Sequence, residues 1–289
     1  MPALVTIVTP SFNQGAFIGH TIRSVLSQDY GAIEYLVYDA GSTDNTHEVL
    51  RSYQARIRTI VAADGGQADA INRGFRSARG EIVAWLNSDD LYLPGAVASA
   101  VAYLGDHPQC AMVYGDAYYV DAAGQRIGRY PTGPVSRLAE GCYICQPATF
   151  MRREAVAAVG YLDASLQFCM DYDLWLRLAS RYAVEYLPIP LACSRLHPGA
   201  KTVAQQLAFH REVVRMTCRR LGAAPLPWLY GYADLLVGRQ LGQSLRGPRA
   251  LAAALLTLAL ALRYHRRLRA SDLRVLWRRM RSEPPGVEC

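Results

Sequence analysis

The chain reads as an α/β protein with a mixed, mainly parallel central sheet and a helical C-terminal extension, and three observations predict this. Short apolar runs alternate with helix-patterned segments from the N-terminus, the rhythm of successive βα units. One of these runs, Glu81-Ile-Val-Ala-Trp-Leu-Asn-Ser-Asp-Asp90, ends in two adjacent carboxylates, at the strand end where open α/β sheets bind ligands. The charge then changes sign along the chain. Residues 1–202 carry 16 Lys and Arg against 19 Asp and Glu, a net of −3, whereas residues 203–289 carry 15 against 5, a net of +10.

The elements follow in order. Leu4–Val8 is the first strand and Ala16–Gln28 the first helix; Ile33–Tyr38 is the second strand and Thr43–Tyr53 a helix capped near Ser42 or Thr43. Ile57–Ala62 is a third strand, Gln67–Ala78 a helix ended by Gly80, and Ile82–Leu86 a fourth strand leading to the acid pair. Pro94 is placed to open a helix over Pro94–Leu104. Beyond it the rhythm changes. Ala111–Val120 and Gln125–Tyr130 form a hairpin turned at Ala122–Gly124, Ile144–Met151 is a strand, Asp171–Arg181 a helix and Val184–Leu187 a last strand. The plan is one α/β region over 1–202, with halves at 1–105 and 106–202, and a basic, partly apolar helical extension over 203–289.

Composition narrows the functional classes. The positive net charge of +7 belongs wholly to the tail, which argues against a nucleic-acid-binding protein. Seven scattered cysteines and no leader-like segment point to the reducing cytosol. Cys142-Tyr-Ile-Cys145 has CxxC spacing but no second pair to complete a zinc site, and it reads as buried thiols. There is no GxxxxGK[ST] and no GxGxxG after the first strand, so neither a P-loop nor a dinucleotide cofactor is expected.

Several loops carry chemistry. Burying the Asp89–Asp90 pair without counter-charge costs several kcal/mol, so a divalent cation bridging a diphosphate is a natural filling. A solvated Asp-Asp helix cap is the plainer alternative. The first two strands end in Thr9-Pro-Ser-Phe-Asn-Gln14 and Asp39-Ala-Gly-Ser-Thr-Asp-Asn45, where Asp39 can accept the imide N–H of a uracil or thymine while the backbone of Thr9–Ser11 meets its carbonyls; either loop is equally an ordinary turn. Asp64-Gly-Gly-Gln-Ala-Asp-Ala-Ile-Asn-Arg-Gly74 opens the third helix with two glycines, and a helix N-terminus favours phosphate.

Taken together, Thr9-Pro-Ser-Phe-Asn, Asp39-Ala-Gly-Ser-Thr-Asp, Gly66-Gln-Ala-Asp-Ala-Ile-Asn-Arg-Gly, Asn87-Ser-Asp-Asp and Met170-Asp-Tyr-Asp-Leu-Trp-Leu-Arg resemble, in this order, the inverting glycosyltransferases of family two, which have the GT-A fold. The resemblance covers about residues 4–202 and implies a nucleotide-sugar donor, with UDP favoured, a glycan or lipid-linked acceptor, and Mn²⁺ or Mg²⁺. It implies that Thr9, Pro10 and Ser11 line the nucleoside, that Asp39 reads the base, and that Asp64 and the Gly66–Gln67 turn lie near the nucleotide. It gives Asp89 the ribose, Asp90 the metal, and Asp171 the role of general base, with Asp173 bracing the site. Asn87 stands where the family often has Asp, and Met170 where it commonly has Glu. His197 can complete the metal shell with Asp89 and Asp90 or serve structurally, and Lys201, the only lysine, can close with Arg195 over the leaving diphosphate. Gln146-Pro147 resembles a segment facing the sugar or acceptor, or is simple packing.

Two other readings compete. A nucleotidyltransferase would want a basic, glycine-rich loop where Thr9-Pro-Ser-Phe-Asn stands. A catalytically degenerate nucleotide-sugar-binding or scaffold protein draws on Met170 and Asn87. In the tail, Val203–Leu221 reads as a basic helix, and Arg249–Leu262 contains thirteen consecutive uncharged residues, short of the ~20 that span a bilayer. Arg263, Arg266, Arg267 and Arg269 follow, then Leu273–Arg281 with four more arginines. This suits 245–289 lying on an anionic membrane surface, with the protein peripheral at the inner face of the cytoplasmic membrane; a helical cap or dimer contact is the plainer alternative.

Overall fold

The computed structural model describes residues 2–241 and 246–265, together with Trp277. Contacts divide them into two compact units: residues up to Val135 with Tyr143–His197, and Ser136–Cys142 with residues from Pro198 onward.

The first unit begins as three βα steps followed by a fourth strand. Strands β1 (Val5–Ser11), β2 (Ile33–Asp39), β3 (Arg58–Val61) and β4 (Ile82–Trp85) alternate with helices α1 (Ile18–Leu26), α2 (Thr46–Ser52) and α3 (Gln67–Ser77). These strands pair in parallel, in the order β3-β2-β1-β4. Every residue of β1 is buried, as expected of a central strand covered on both faces. Beyond β4 come β5 (Leu91–Tyr92), α4 (Ala96–Asp106), β6 (Cys110–Val120), β7 (Arg126–Arg129), β8 (Thr149–Arg152), α5 (Arg153–Ala158), α6 (Met170–Ala179) and β9 (Ala183–Arg195). The sheet continues β4-β8-β6-β9-β5, with β7 paired to β6. Only β6–β9 is parallel in this half, so the sheet is mixed.

The two faces of β4 set the layers. Ile82, Ala84 and Leu86 join a core with Ile18, Ile22 and Val25 of α1 and Val97, Ala100 and Leu104 of α4. Trp85 turns the other way, edge-on to Phe75 of α3 and stacked on Trp175 of α6 with centroids 5.5 Å apart. Period-two alternation thus places α1 and α4 on one face, and α3 and α6 on the other.

Several boundaries differ from the sequence reading. The α2 helix starts after Asn45, and its first-turn N–H of Thr46 is capped by Asp44 rather than by Ser42 or Thr43. The α3 helix already ends at Ser77, where Ala78 turns extended before Gly80. Pro94 precedes the helix it was expected to open, and left-handed Gly95 is the residue before α4. Ile144–Met151 is not one strand: Gln146–Ala148 forms a 3₁₀ turn around Pro147, which has no N–H for a ladder, and pairing begins at Thr149. The last strand does not stop at Leu187. Register shifts opposite Gly115 and Asp116 take the Pro188-Ile-Pro190 stretch past β6, and pairing resumes to Arg195. The short β5 and α5 carry too few residues for a periodic signal.

The second unit is helical: α7 (Lys201–Ala204), α8 (Gln206–Leu221), α9 (Leu226–Leu241) and α10 (Arg246–His265). The expected helix 203–221 is split at Gln205, and α9, opened by Pro225-Leu-Pro227, was not foreseen. Leu229, Tyr230 and Val237 of α9 pack against Ala253, Ala254 and Ala261 of α10. The expected segment Leu273–Arg281 lies outside the described residues, apart from Trp277. Among the described residues no helix is long and apolar enough to cross a membrane.

One tight contact fixes where β4 begins. A Cβ on Gly80 would come 2.6 Å from the backbone nitrogen of Thr6 and 2.7 Å from the Leu4 carbonyl oxygen. The Gly80 N–H also donates to the Thr6 hydroxyl, which donates to buried Glu34. Gly80→Ala is therefore expected to destabilise the protein by about 1–3 kcal/mol, read as a lower urea midpoint at unchanged slope.

Candidate active site

The carboxyl edge of the sheet gathers the chemistry-bearing loops. Ser11 and Asp39 are register partners at the ends of β1 and β2, and the Ala40 N–H donates to the Ser11 carbonyl. Asp39 is buried. One carboxylate oxygen accepts the N–H groups of Gly41 (3.0 Å) and Ser42 (2.8 Å) and lies 2.8 Å from Nε2 of His47; the other accepts the Ser42 hydroxyl. Burial alone would raise its pKa, but these hydrogen bonds outweigh it and hold the carboxyl below the ordinary 3.8. The buried Ser11 hydroxyl lies beside the Asp39 carboxylate and contributes to holding its pKa down. Thr9 differs from the expectation: its hydroxyl is buried against Tyr35 (3.0 Å), so its side chain belongs to the core, and Pro10 is likewise buried within β1.

Loop 11–15 is stitched to loop 39–46. The Asn13 N–H donates to Ser42 Oγ, the Thr43 N–H to Asn13 Oδ1, and the Gly15 N–H to Asp44. Asn13 sits at φ 53°, the left-handed region that asparagine tolerates better than most residues.

At α3 the chain passes through Gly66 at φ 109°, ψ 177°, a conformation that favours glycine. Asp64 accepts the Gly66 N–H at 2.8 Å, so its role here is to shape the turn. Gln67 donates to Asn87 Oδ1 (2.8 Å), Asn87 donates to Asp90 Oδ2 (3.1 Å) and Gln146 Oε1 (3.0 Å), and Gln146 donates to the Trp85 carbonyl. The 3₁₀ turn at Gln146 is thus an internal strut. Gln167, three residues before α6, lies near Gly66, its amide 3.8–3.9 Å from where a Cβ there would stand.

The two acids part company. Asp90 is buried and accepts the Arg195 N–H on Oδ1 (2.9 Å) and the Asn87 amide on Oδ2. Burial, then the neighbouring charge of Asp89, push its pKa upward. Asp89 keeps one fifth of its side chain exposed, and its Oδ2 lies 3.0 Å from Nε2 of His197. The His197 ring packs on Phe17 at 4.8 Å. Arg195 does not reach outward. Its buried side chain donates to the carbonyls of Asp89, Asp121 and Ala122 and places a fixed positive charge beside the acids.

A divalent cation fits this donor set in a limited sense. Among the described residues no group of three or more His, Cys, Asp or Glu side chains is arranged to hold a metal by itself. Asp89 with His197 suits an ion that completes its shell with diphosphate oxygens and water, the usual habit of Mg²⁺.

Asp171 lies in the first turn of α6, half-buried, one oxygen accepting the Tyr172 N–H at 2.7 Å. It stands one turn before Trp175 on the same helix face. Asp173 is fully buried and paired with Arg177, which also holds the Val159 carbonyl, so it braces the helix. Met170 is packed inside, where a glutamate could not remain charged without a partner. Lys201 belongs to the second unit, at the start of α7.

Ser42 was read from the sequence only as a helix cap, and His47 and Phe17 were not singled out. The spacing Asp39-Ala-Gly-Ser42 is a detectable Asx-type turn, whereas His47 and Phe17 join the site only through the fold. Because the Asp39 pKa is depressed, its stabilisation is present above the unfolded value near 4 and is lost as pH falls through the folded one. Asp39→Asn should therefore lower stability by about 1–3 kcal/mol at pH 7, with the two proteins' melting temperatures converging in strong acid.

Comparison with known proteins identifies the family and the fold. Residues 6–160, more than half of the chain, match the Glycosyl transferase family 2 pattern. An uncharacterised glycosyltransferase of Rickettsia conorii is 29% identical over 221 residues, covering 70% of this chain and 36% of that protein, so the match spans about a third of the relative's length. The O-antigen biosynthesis protein RfbC of Myxococcus xanthus is 34% identical, over 61% of this chain and 14% of its own. Among solved structures, S. aureus TarS 1–349 in complex with UDP-GlcNAc superposes with a TM-score of 0.66 at 18% identity, covering 96% of this chain and 87% of that one. The mannosyltransferase PcManGT of Pyrobaculum calidifontis, in complex with GDP-Man and Mn²⁺, gives 0.62 at 18% identity, covering 96% and 84%. By sequence pattern and by fold, the chain belongs to glycosyl transferase family 2 and has the GT-A architecture.

Proposed function

We propose that the protein transfers a sugar from a nucleoside diphosphate sugar, UDP favoured, to a hydroxyl of a glycan or lipid-linked acceptor, with inversion at the anomeric carbon. The observation that carries this reading is the linked network at one sheet edge. Gln67, Asn87 and Asp90 tie the α3 turn to the acid loop, and the Ser11–Asp39 edge lies one strand away.

In this reading the Ser11 hydroxyl and the rim of Asp39 meet the base. The turn at Gly66–Gln67 presents the N-terminus of α3 to the donor. Asp89 and His197, not Asp90, would hold a Mn²⁺ or Mg²⁺ ion, because the Asp90 carboxylate is already occupied by Arg195 and Asn87. When bound, such an ion supplies positive charge against the departing diphosphate. Asp171 takes the proton from the acceptor hydroxyl as that oxygen attacks, and a single base acting in a single displacement inverts the centre.

The tail is proposed to rest on an anionic membrane surface at its cytoplasmic side. Leu251, Leu255 and Leu262 of α10 are exposed along one helix face, ahead of the arginine-rich sequence.

Calorimetric titration with UDP, dTDP, GDP and CDP, with and without Mn²⁺, tests the donor site. Metal-dependent binding of one diphosphate is expected, and Asp89→Ala should remove the metal dependence; folded protein that binds none of them would refute the reading. Asp171→Asn should retain donor binding while transfer falls about 10²–10⁴-fold. Retained turnover would place the base elsewhere.

A further inference from the structure

The helical unit contains a cleft that the donor reaction does not use. It has a volume of about 630 Å³ and lies between α8 and α9, with Arg249 of α10 at one end. Leu207 and Arg211 of α8 face it one turn apart, as do Leu235 and Arg239 of α9.

Its three arginines are not equivalent. Arg249 is held by both oxygens of Asp234, at 2.8 and 2.5 Å. It lies so close to α9 that a Cβ on Gly238 would come 3.0 Å from the guanidinium. Arg211 and Arg239 have no acidic partner among the described residues, although both line the cleft. The lining thus holds three guanidinium groups, of which only Arg249 is neutralised by a carboxylate, leaving the cleft short of negative charge. Guanidinium groups match phosphate oxygens in geometry as well as charge. Leu207 and Leu235 add apolar wall, which free inorganic phosphate does not need and a hydrocarbon-bearing phosphate does.

We infer that this cleft binds the phosphate headgroup of an anionic lipid, with Arg211 and Arg239 as its principal ligands and Arg249 as a fixed positive floor. The exposed leucines of α10 lie in the same helical unit and supply a surface for the acyl region. The inference rests on the membrane reading for the source of the phosphate, and goes beyond it by naming a site.

The test uses the full chain without divalent ions, in flotation with phosphatidylcholine vesicles, with or without phosphatidylglycerol, and in calorimetry with inorganic pyrophosphate. Wild-type protein should float with the phosphatidylglycerol vesicles only. The Arg211→Gln, Arg239→Gln double variant should bind them about tenfold more weakly or worse. Unchanged circular dichroism and nucleotide binding would show that this variant is folded. Pyrophosphate should compete with the vesicles. Leu255→Asp should weaken flotation while leaving the pyrophosphate affinity unchanged. Vesicle binding that ignores the two arginines would overturn the site and leave the membrane reading standing. Arginine-dependent pyrophosphate binding without flotation would overturn the lipid source. Folded wild-type protein that binds neither probe would overturn the proposal.

Discussion

Much of the first unit is tied together at Asp90. Its carboxylate receives the Arg195 backbone from the end of β9 and the Asn87 amide from the end of β4, while its carbonyl receives the hydroxyl of Thr21 in α1. A helix, the acid loop and the most distant strand segment in sequence converge on one buried residue. A carboxylate at that depth is costly, and two hydrogen bonds with the charge of Arg195 offset only part of the penalty, so burial and Asp89 still push its pKa up. Removing the carboxylate would also leave the Arg195 N–H without its partner.

This anchoring explains how adjacent, chemically identical acids come to differ. Asp90 is turned inward and used up. Asp89 keeps part of its side chain exposed and pairs with the mostly buried His197, on a loop whose backbone is clamped by the guanidinium of Arg195. Asp39 is handled differently. It is buried at the sheet edge, where Ser42 and His47 lock its orientation.

Much of the nucleotide half was legible because parallel strands there are short apolar runs ending in polar loops. The loops that hold Asp39, Asp89 and Asp90 could be located from such strand ends, whereas the roles given to them and to Asp171 came from the resemblance to a known family. Legibility failed where tertiary contacts override local pattern. Thr9 looks like loop lining but spends its hydroxyl on Tyr35, and Arg195 looks like a free cation but is bound to three carbonyls. The prolines near the end of β9 suggest a stop, yet the register shift lets the strand resume. The order of Asp89 and Asp90 shows the same limit: spacing located the pair, whereas its division of labour depends on a backbone N–H more than a hundred positions away.

The Trp85–Trp175 stack has an optical consequence. Two indoles with centroids 5.5 Å apart and planes 23° from parallel are close enough for their excited states to mix. One ring belongs to the strand that leads into the acid loop, and the other to the helix that begins with Asp171. Any motion of that helix against the strand alters the coupling. The near-ultraviolet circular dichroism of the unlabelled protein thus carries an intrinsic gauge of how closely the two halves of the candidate site are held together.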